Sequence, residues 1–304
     1  MNHRIALLII YNHKFDKNIP ILEELYKNKF SDVYHIIPFY DGSKENVLPV
    51  YEAPGRFQSY IAQAYQQIIR KKGDSYYTHY FSVSDDMILN PEINEKNFFN
   101  FLGIDTESCY ITDLREIQKR KCCASLIPIL LRYRTNKNSA ELNNILPDAN
   151  TAFDKFKQLG LSVSNIKINQ LLKEAFNKLL EGNIIATLKY LFYIKDRKIR
   201  FPLIWAYSDV LLITEAVMPS FCTYCGAFAA TDLFVEVAIP SALILCSDKI
   251  TTENQIKKSS ISQLLGKEKY EFEKKYNFSI NNLLANFPES LFFVHPIKLS
   301  KWGK

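Results

Sequence analysis

The most constraining feature of this sequence is an alternation of short apolar runs and helical patterns across its first third. Three runs have the composition of buried β-strands, namely Ile5 to Ile10, Val33 to Phe39 and Tyr76 to Val83. Strands that alternate with helices favour a mostly parallel sheet covered by helices. The sequence therefore predicts an α/β fold.

Two amphipathic helices are predicted between these strands. The first covers residues 19 to 29, and four of its apolar residues share one face: Ile19, Leu22, Leu25 and Tyr26. The second begins near Arg56, after the break at Pro54-Gly55, and continues to Arg70. Its first turn offers backbone N–H groups that suit an anionic ligand.

The rest of the chain mixes both kinds of element. Residues 139 to 198 have a helical pattern with many lysines, which predicts an inserted helical subdomain, acting either as a lid or as a packing appendage. The runs Phe201 to Pro219, Ala227 to Cys246 and Leu291 to Val294 have the composition of strands or buried helices. Residues 260 to 287 predict an amphipathic helix. We expect one domain covering residues 1–304.

Composition and charge exclude several classes of protein. The chain is 47% hydrophobic with only nine glycines and twelve prolines, so extensive disorder is excluded. Its net charge of +6 suggests an anionic partner but lies far below the charge density of a nucleic-acid binder. No window reaches the roughly 18 apolar residues of a membrane span. We expect a soluble protein with, at most, peripheral contact with an anionic membrane.

Cysteine usage favours a cytoplasmic protein. The six cysteines include the adjacent pair Cys122-Cys123, which suits no simple disulfide framework. Cys222 and Cys225 have CxxC spacing, but no second pair or paired histidines accompany them, so they are interpreted as small buried hydrophobes. The apolar run near the N-terminus has six residues, too few for the core of a signal peptide.

An acidic pair follows the third predicted strand. Asp85 and Asp86 stand at the carboxyl end of that strand, where ligands of open α/β sheets bind. Two adjacent carboxylates repel each other and are costly to bury, so a bound cation is the simplest way to balance them. Mg²⁺ and Mn²⁺ take carboxylate oxygens and complete their shell with phosphates and water. Asp86 is the expected first metal ligand, although an acidic pair also occurs at ordinary turns.

A histidine leaves another apolar strand near the other end of the chain. His295 follows Leu291 to Val294, and Lys298 comes three positions later. An imidazole suits Mn²⁺ and an ammonium suits a diphosphate. A lone histidine is ordinarily a surface residue or a satisfied core residue, but together with Asp85 and Asp86 His295 is predicted to be the second metal ligand and Lys298 a phosphate contact.

Together these residues carry a resemblance to a known family. The segment from Tyr80 to Asp86 resembles the DxD-type motif of GT-A glycosyltransferases, and His295 resembles their late metal-binding histidine. The resemblance covers nearly the whole chain and implies a GT-A-like fold, with residues 1–105 as the nucleotide-binding half and residues 106–304 as the acceptor half. Ser84 stands where a strict DxD has its first Asp, so Ser84 and Asp85 are given secondary roles.

The resemblance also implies contacts to the nucleotide. The segments Ala6 to Asn12 and His35 to Gly42 are similar to the first two strands of that fold, whose loops hold the nucleoside. This similarity implies that Tyr11 and Asp41 contact the base or ribose. Arg56, at a helix start, is a candidate phosphate contact. The implied activity is transfer of a hexose, galactose first, from a UDP-sugar to a saccharide or lipid-linked acceptor in bacterial surface polysaccharide assembly.

Sugar transfer with inversion also requires a base for the acceptor hydroxyl. Asp232 and Glu236 are four residues apart, so a helix would place both on one face, and apolar neighbours would raise a carboxylate's pKa. Glu236 is slightly favoured; a capping role for Asp232 and an ion pair for Glu236 are the structural alternatives.

Two other functions share part of this pattern. A sugar-nucleotide nucleotidyltransferase also needs an α/β sheet and an acidic metal site, but the segment after the first strand lacks the glycine-rich phosphate loop such enzymes use. A non-catalytic subunit of a polysaccharide complex would keep the fold without a working metal site.

Overall fold

The computed structural model describes residues 3–119, 125–135, 142 and 144–303. Contacts divide the chain into two compact units. The first comprises residues 1–113, 207–222 and 249–304, and the second comprises residues 114–206 and 223–248. The division of the chain into halves at residue 105 stays a prediction. Cys122 and Cys123 lie outside the described residues.

The first unit contains every strand of the described ranges. They are β1 (Ile5–Ile10), β2 (Asp32–Pro38), β3 (Val47–Val50), β4 (His79–Ser84), β5 (Ile88–Leu89), β6 (Cys109–Ile111), β7 (Val210–Thr214), β8 (Ile250–Thr251), β9 (Ser259–Ile261) and β10 (Leu291–Val294). The three strands predicted in the first third of the sequence are confirmed as β1, β2 and β4, with boundaries shifted by up to three residues.

Helices occur in both units. They are α1 (Ile19–Tyr26), α2 (Phe57–Lys72), α3 (Phe98–Leu102), α4 (Ile127–Arg132), α5 (Ala149–Gln158), α6 (Ile168–Leu180), α7 (Ile184–Lys195), α8 (Met218–Ala230), α9 (Val235–Cys246), α10 (Gly266–Lys275) and α11 (Ile280–Ala285). The helical prediction for residues 139 to 198 is confirmed over α5, α6 and α7. The single helix predicted for residues 260 to 287 is wrong, because β9 begins this segment and Asn277 and Phe278, both with φ of 53°, separate α10 from α11.

The central sheet of the described residues has seven strands in the order β3-β2-β1-β4-β7-β6-β8. All its pairings are parallel except those of β7, which runs antiparallel to both β4 and β6. Helices flank the sheet, and α1 and α2 pack against β2 and β3 on the same unit. The predicted α/β class with a mostly parallel sheet is confirmed.

Burial explains why the central strands are apolar on both faces. All six residues of β1 are buried, as expected for a strand covered on both sides by other layers of the fold. A second, three-stranded sheet has the order β5-β10-β9. The buried residues of β10 belong to the same hydrophobic core as residues of β1 and β4. Phe292 stacks on Phe81 of β4 with ring centroids 6.0 Å apart. The late strand β10 is thereby fixed beside the end of β4.

Candidate functional site

The acidic pair lies at the carboxyl ends of two neighbouring parallel strands. The Asp85 N–H donates to the Ile10 carbonyl at 2.9 Å, which joins the end of β4 to the end of β1. The Ser84 N–H donates to the Asp209 carbonyl at 3.0 Å, just before β7 begins. Ligands of open α/β sheets bind at such strand ends, because loops can surround them without breaking the ladder. The pair therefore lies where such a fold places its site.

Asp86 and His295 meet at this edge although more than two hundred residues separate them in the sequence. The Oδ1 atom of Asp86 lies 3.1 Å from Nε2 of His295. Two backbone features hold them together: β5, just after Asp86, pairs with β10, and the Ile297 N–H donates to the Asp86 carbonyl at 2.7 Å. The structure thus brings the two predicted metal ligands together.

The orientation of the imidazole is set by a second contact. Nδ1 of His295 lies 3.0 Å from the Ser262 carbonyl, and a carbonyl only accepts hydrogen bonds, so Nδ1 carries a proton. Nε2 is therefore the atom directed at Asp86. Histidines that bind metals are commonly fixed in this way, with the other ring N–H donated to a carbonyl or carboxylate.

The two groups stabilise each other's charge in the absence of a metal. Burial alone would lower the pKa of His295, but the hydrogen bond and negative charge of Asp86, with the charge of Asp209, raise it to about 9. Burial works against ionisation of Asp86, yet the hydrogen bond and charge of His295 hold its pKa below the usual value. A proton on Nε2 thus occupies the place that a cation would take.

Asp85 has a different environment from its neighbour. Burial and the charge of Asp86 raise the pKa of Asp85 to about 7, although Asn18 Nδ2 donates to its Oδ2 at 2.9 Å and opposes the shift. The Ser84 hydroxyl is buried beside Asp86, and its interaction with that carboxyl helps to lower the pKa of Asp86.

Asp209 is a third carboxylate at this place that the sequence did not single out. It precedes β7, one ladder position beyond the pairing of Val83 with Val210, and so stands opposite Ser84. Burial raises its pKa and the charge of His295 lowers it. In the sequence Asp209 was only a polar break in an apolar run, and only the pairing of β4 with β7 reveals its position.

The residues present fit a hard divalent cation. Neighbouring ligands of an octahedral ion at about 2.1 Å are about 3.0 Å apart, close to the 3.1 Å between Asp86 Oδ1 and His295 Nε2. No cluster of three or more His, Cys, Asp or Glu side chains suited to a metal occurs in the part of the chain that the structure describes. Two protein ligands suffice for an ion that takes its remaining ligands from phosphates and water.

The residues predicted to contact the nucleoside lie in different surroundings. Tyr11 is fully buried, and its hydroxyl lies 2.8 Å from Nδ1 of the equally buried His35. Asp41 is exposed and accepts a hydrogen bond from Lys14 Nζ at 2.5 Å, and this contact lowers the pKa of Asp41. The roles of Tyr11 and Asp41 stay predictions.

The two predicted phosphate contacts also lie in the first unit. Arg56 is the N-cap residue of α2, as the sequence predicted for a helix start, and it is partly buried. The preceding Gly55 N–H donates to Asn12 Oδ1 at 2.7 Å, which ties the start of α2 to the loop after β1. Lys298 is exposed and follows His295 by three residues. Their roles stay predictions.

The expected geometry of the two candidate bases is wrong. Both lie in the second unit, but Asp232 stands in the turn between α8 and α9 with φ of 58° and is exposed, whereas Glu236 lies in the first turn of α9. The Leu233 N–H donates to the Phe228 carbonyl at 3.0 Å and ends α8 at this turn. The two carboxylates therefore do not share a helical face. Trp205 Nε1 donates to Glu236 Oε2 at 2.8 Å.

The remaining sequence expectations concern cysteines and membranes. Cys222 and Cys225 are both buried and not in a disulfide, in agreement with their interpretation as small hydrophobes. Across the described ranges, every helix is too short or too polar to cross a bilayer.

Comparison with protein families and curated proteins identified no relative of this chain. No family model matches the chain, and no curated protein matches it significantly. The functional argument therefore depends on the site itself.

Proposed function

We propose that the protein is a metal-dependent glycosyltransferase of GT-A type that moves a hexose from a UDP-sugar to a saccharide acceptor. One observation carries the proposal: Asp86 and His295 are 3.1 Å apart at the carboxyl end of β4 in a mostly parallel sheet. An acidic residue and an imidazole form a donor set for Mn²⁺ or Mg²⁺, and a two-ligand site leaves room for a diphosphate.

The roles proposed for this chain's residues follow from their chemistry. Asp86 and His295 would hold the Mn²⁺ or Mg²⁺, and such an ion, when bound, stabilises the negative charge of a departing diphosphate. Ser84 and Asp85 adjoin this position and complete the acidic motif. Lys298 supplies a further positive charge.

The remaining roles concern the nucleoside and the acceptor. Tyr11 and Asp41 are assigned to the base or ribose, and Arg56 to the phosphates. In an inverting reaction, slightly favoured here, Glu236 or Asp232 removes the proton from the acceptor hydroxyl. The Trp205 Nε1–H donates to Oε2 of Glu236 at 2.8 Å and orients this carboxylate.

The biological setting is proposed from the family resemblance. The sugar is galactose in the first instance, and the acceptor is a saccharide or lipid-linked saccharide of bacterial O-antigen or capsule assembly. A cytoplasmic enzyme, with peripheral contact at the inner face of the cytoplasmic membrane, would meet both the UDP-sugar and such an acceptor.

The test is release of UDP from UDP-galactose by the purified full chain, with and without Mn²⁺. We expect release that EDTA abolishes, and a loss of at least about a hundredfold in Asp86→Asn and His295→Gln, as for removal of a group that stabilises transition-state charge. Asp105→Asn is the matched control, because Asp105 is an exposed carboxylate paired with Lys249 in the same unit. Equal rates in all three variants would sink the proposal.

The same assay separates the alternatives. A nucleotidyltransferase would release pyrophosphate from UTP or CTP in the presence of a sugar phosphate, and a non-catalytic subunit would release neither product. The proton acceptor is tested separately with Glu236→Gln and Asp232→Asn. If both variants transfer sugar at the wild-type rate, the carboxylate base is excluded and a retaining reaction is favoured.

A further inference from the structure

Helices α6 and α7 form an antiparallel hairpin within the second unit. Three residues connect them, and Gly182 among these has φ of 75°, a left-handed conformation that favours glycine. The side chain of Asn183 then caps α7 by accepting the Ala186 N–H at 3.0 Å. The Thr187 hydroxyl donates to the Ala175 carbonyl at 3.3 Å, which marks the line along which the two helices touch.

Each helix of this hairpin also carries a stripe of exposed apolar side chains. In α6 the stripe consists of Ile168, Leu172, Phe176, Leu179 and Leu180. In α7 it consists of Ile184, Ile185, Leu188, Leu191 and Phe192. Spacings of three and four residues keep each set on one side of its helix. Leu180 and Ile185, on either side of the turn, are 71% and 70% exposed.

The two stripes face the same side of the hairpin. Successive residues of a helix are rotated by 100° about its axis. Measured in the direction of increasing residue number, the centre of the α6 stripe lies about 70° from Ala175, and the centre of the α7 stripe lies about 100° from Thr187. Ala175 and Thr187 face each other, and the helices are antiparallel. Rotations of the same sense from facing positions therefore bring both stripes to one surface, which we name the hairpin face.

The hairpin face exposes more apolar area than the largest apolar patch of a typical monomer. From their exposures, the ten side chains present on the order of 1,000 Å² of apolar surface, against roughly 300–600 Å² for the largest patch of a typical monomer. Such a surface marks a contact with a partner or a membrane.

Charge identifies the kind of partner. Residues 167–200 contain eight Lys or Arg and three Asp or Glu, a net charge of +5, whereas the whole chain has +6. The hairpin and the residues beside it are therefore a strongly basic stretch of the chain. Lys173 and Lys189 are exposed. Lys173 lies just outside the outer edge of the α6 stripe, and Lys189 lies just outside the outer edge of the α7 stripe. An apolar surface bordered by lysines matches the boundary between the acyl chains and the anionic headgroups of a bilayer.

A groove on α7 belongs to the same surface. It has a volume of about 290 Å³, and the residues that line it include Leu188, Phe192 and Lys189. Its lining is almost entirely apolar, which suits an acyl chain. The charge of the hairpin favours a lipid over a second copy of this chain. A symmetric dimer through this face would bring two net charges of +5 together.

We propose that the hairpin face binds the surface of a membrane that contains anionic phospholipids. The two apolar stripes enter the headgroup and acyl boundary, and the bordering lysines lie among the lipid phosphates. The inference deepens the peripheral membrane contact of the proposed function. It uses none of the residues of the acidic site, so its failure would leave the glycosyl-transfer proposal standing.

The first test is cosedimentation of the full chain with vesicles of phosphatidylcholine alone and with about one third phosphatidylglycerol. We expect binding to the anionic vesicles that weakens between low salt and 0.5 M NaCl, as screening predicts. Leu180→Gln and Ile185→Gln should each lower the partition coefficient about tenfold, because each removes most of one buried aliphatic side chain. Leu265→Gln is the matched control, since Leu265 is 61% exposed outside the hairpin, and it should bind like the wild type.

The second test separates charge from apolar burial. Lys173→Gln/Lys189→Gln should lower binding to anionic vesicles roughly 25-fold, about fivefold per lysine, whereas Lys267→Gln/Lys274→Gln on α10 removes the same charge elsewhere and should change it less than twofold. Equal binding to both kinds of vesicle, or equal losses in the two double variants, would overturn the proposal. The proposal would also be overturned if light scattering showed a dimer that Leu180→Gln dissociates and the protein bound to no vesicles.

Discussion

The ion pair between Asp86 and His295 predicts a specific loss of stability between pH 7 and pH 9 when divalent metal is chelated. The pKa of His295 is about 9 in the folded protein and about 6.5 in an unfolded chain. The folded state therefore binds a proton that the unfolded state has lost. This contribution is fully present below pH 6.5 and disappears as the pH rises through 9.

The magnitude follows from the two pKa values. Between them the free energy of unfolding falls by about 1.4 kcal/mol per pH unit, and the loss from pH 7 to pH 9 is about 2 kcal/mol. The raised pKa of Asp85, about 7, also makes stability fall with pH, but between pH 4 and 7. The window from pH 7 to 9 therefore isolates the imidazole from its acidic neighbour.

The two tryptophans allow the measurement to be restricted to the relevant unit. Trp302 is buried in the core of the first unit and Trp205 belongs to the second. In a Trp205→Phe background, urea unfolding followed by Trp302 fluorescence in EDTA reports the first unit alone. The Trp205→Phe parent is compared at pH 7 and pH 9 with the same protein carrying His295→Gln. The difference in unfolding free energy between these proteins should shrink by about 2 kcal/mol over this range.

Two results would refute this reasoning. If the His295→Gln protein loses as much stability as its parent between pH 7 and 9, another group titrates there. If neither protein changes, His295 is not protonated in the folded state and its contact with Asp86 contributes little.

Three further predictions concern the same unit and the hairpin. Asn18→Ala should destabilise the protein by about 1.5–3 kcal/mol at pH 8, where Asp85 is ionised, and by less at pH 5 in urea titrations. Phe292→Ala should cost about 3–5 kcal/mol by the same measurement, whereas Phe176→Ala on the exposed stripe should stay within about 0.5 kcal/mol. Mn²⁺ at a hundred times its Kd should stabilise the parent by about 2.7 kcal/mol in thermal unfolding and leave Asp86→Asn unchanged.

The parts of the fold that were predicted are those with a local signal. The strand β1 is recognisable because all six of its residues are apolar, and α1 because its apolar residues recur at helical spacing. The helix α9 was left open between strand and helix, because it is apolar on every side and contains Pro240, so it has no period to read. Deep burial removes the pattern on which prediction depends.

The site shows the same limit over longer distances. Asp86 and His295 were paired from their ligand chemistry and from resemblance to a motif, and the pairing of β5 with β10 is the physical reason that they meet. Asp209 was missed because its importance depends on the register of β7 against β4. Asp232 was misplaced because an Asp in a left-handed turn after a helix resembles, in sequence, an Asp inside one.

The pairing of β5 with β10 also has a consequence for biosynthesis. Asp86 leaves the ribosome more than two hundred residues before His295, an interval of about 10–40 s at typical rates of translation. During that time the neighbour of β5 does not yet exist, and Asp86 lacks the imidazole that balances its charge. A nascent chain can therefore form β1 to β4 early, but it gains its ion pair only when β10 emerges. Ribosome-stalled chains ending before Leu291 should accordingly fail to retain Mn²⁺, however well their first strands have folded.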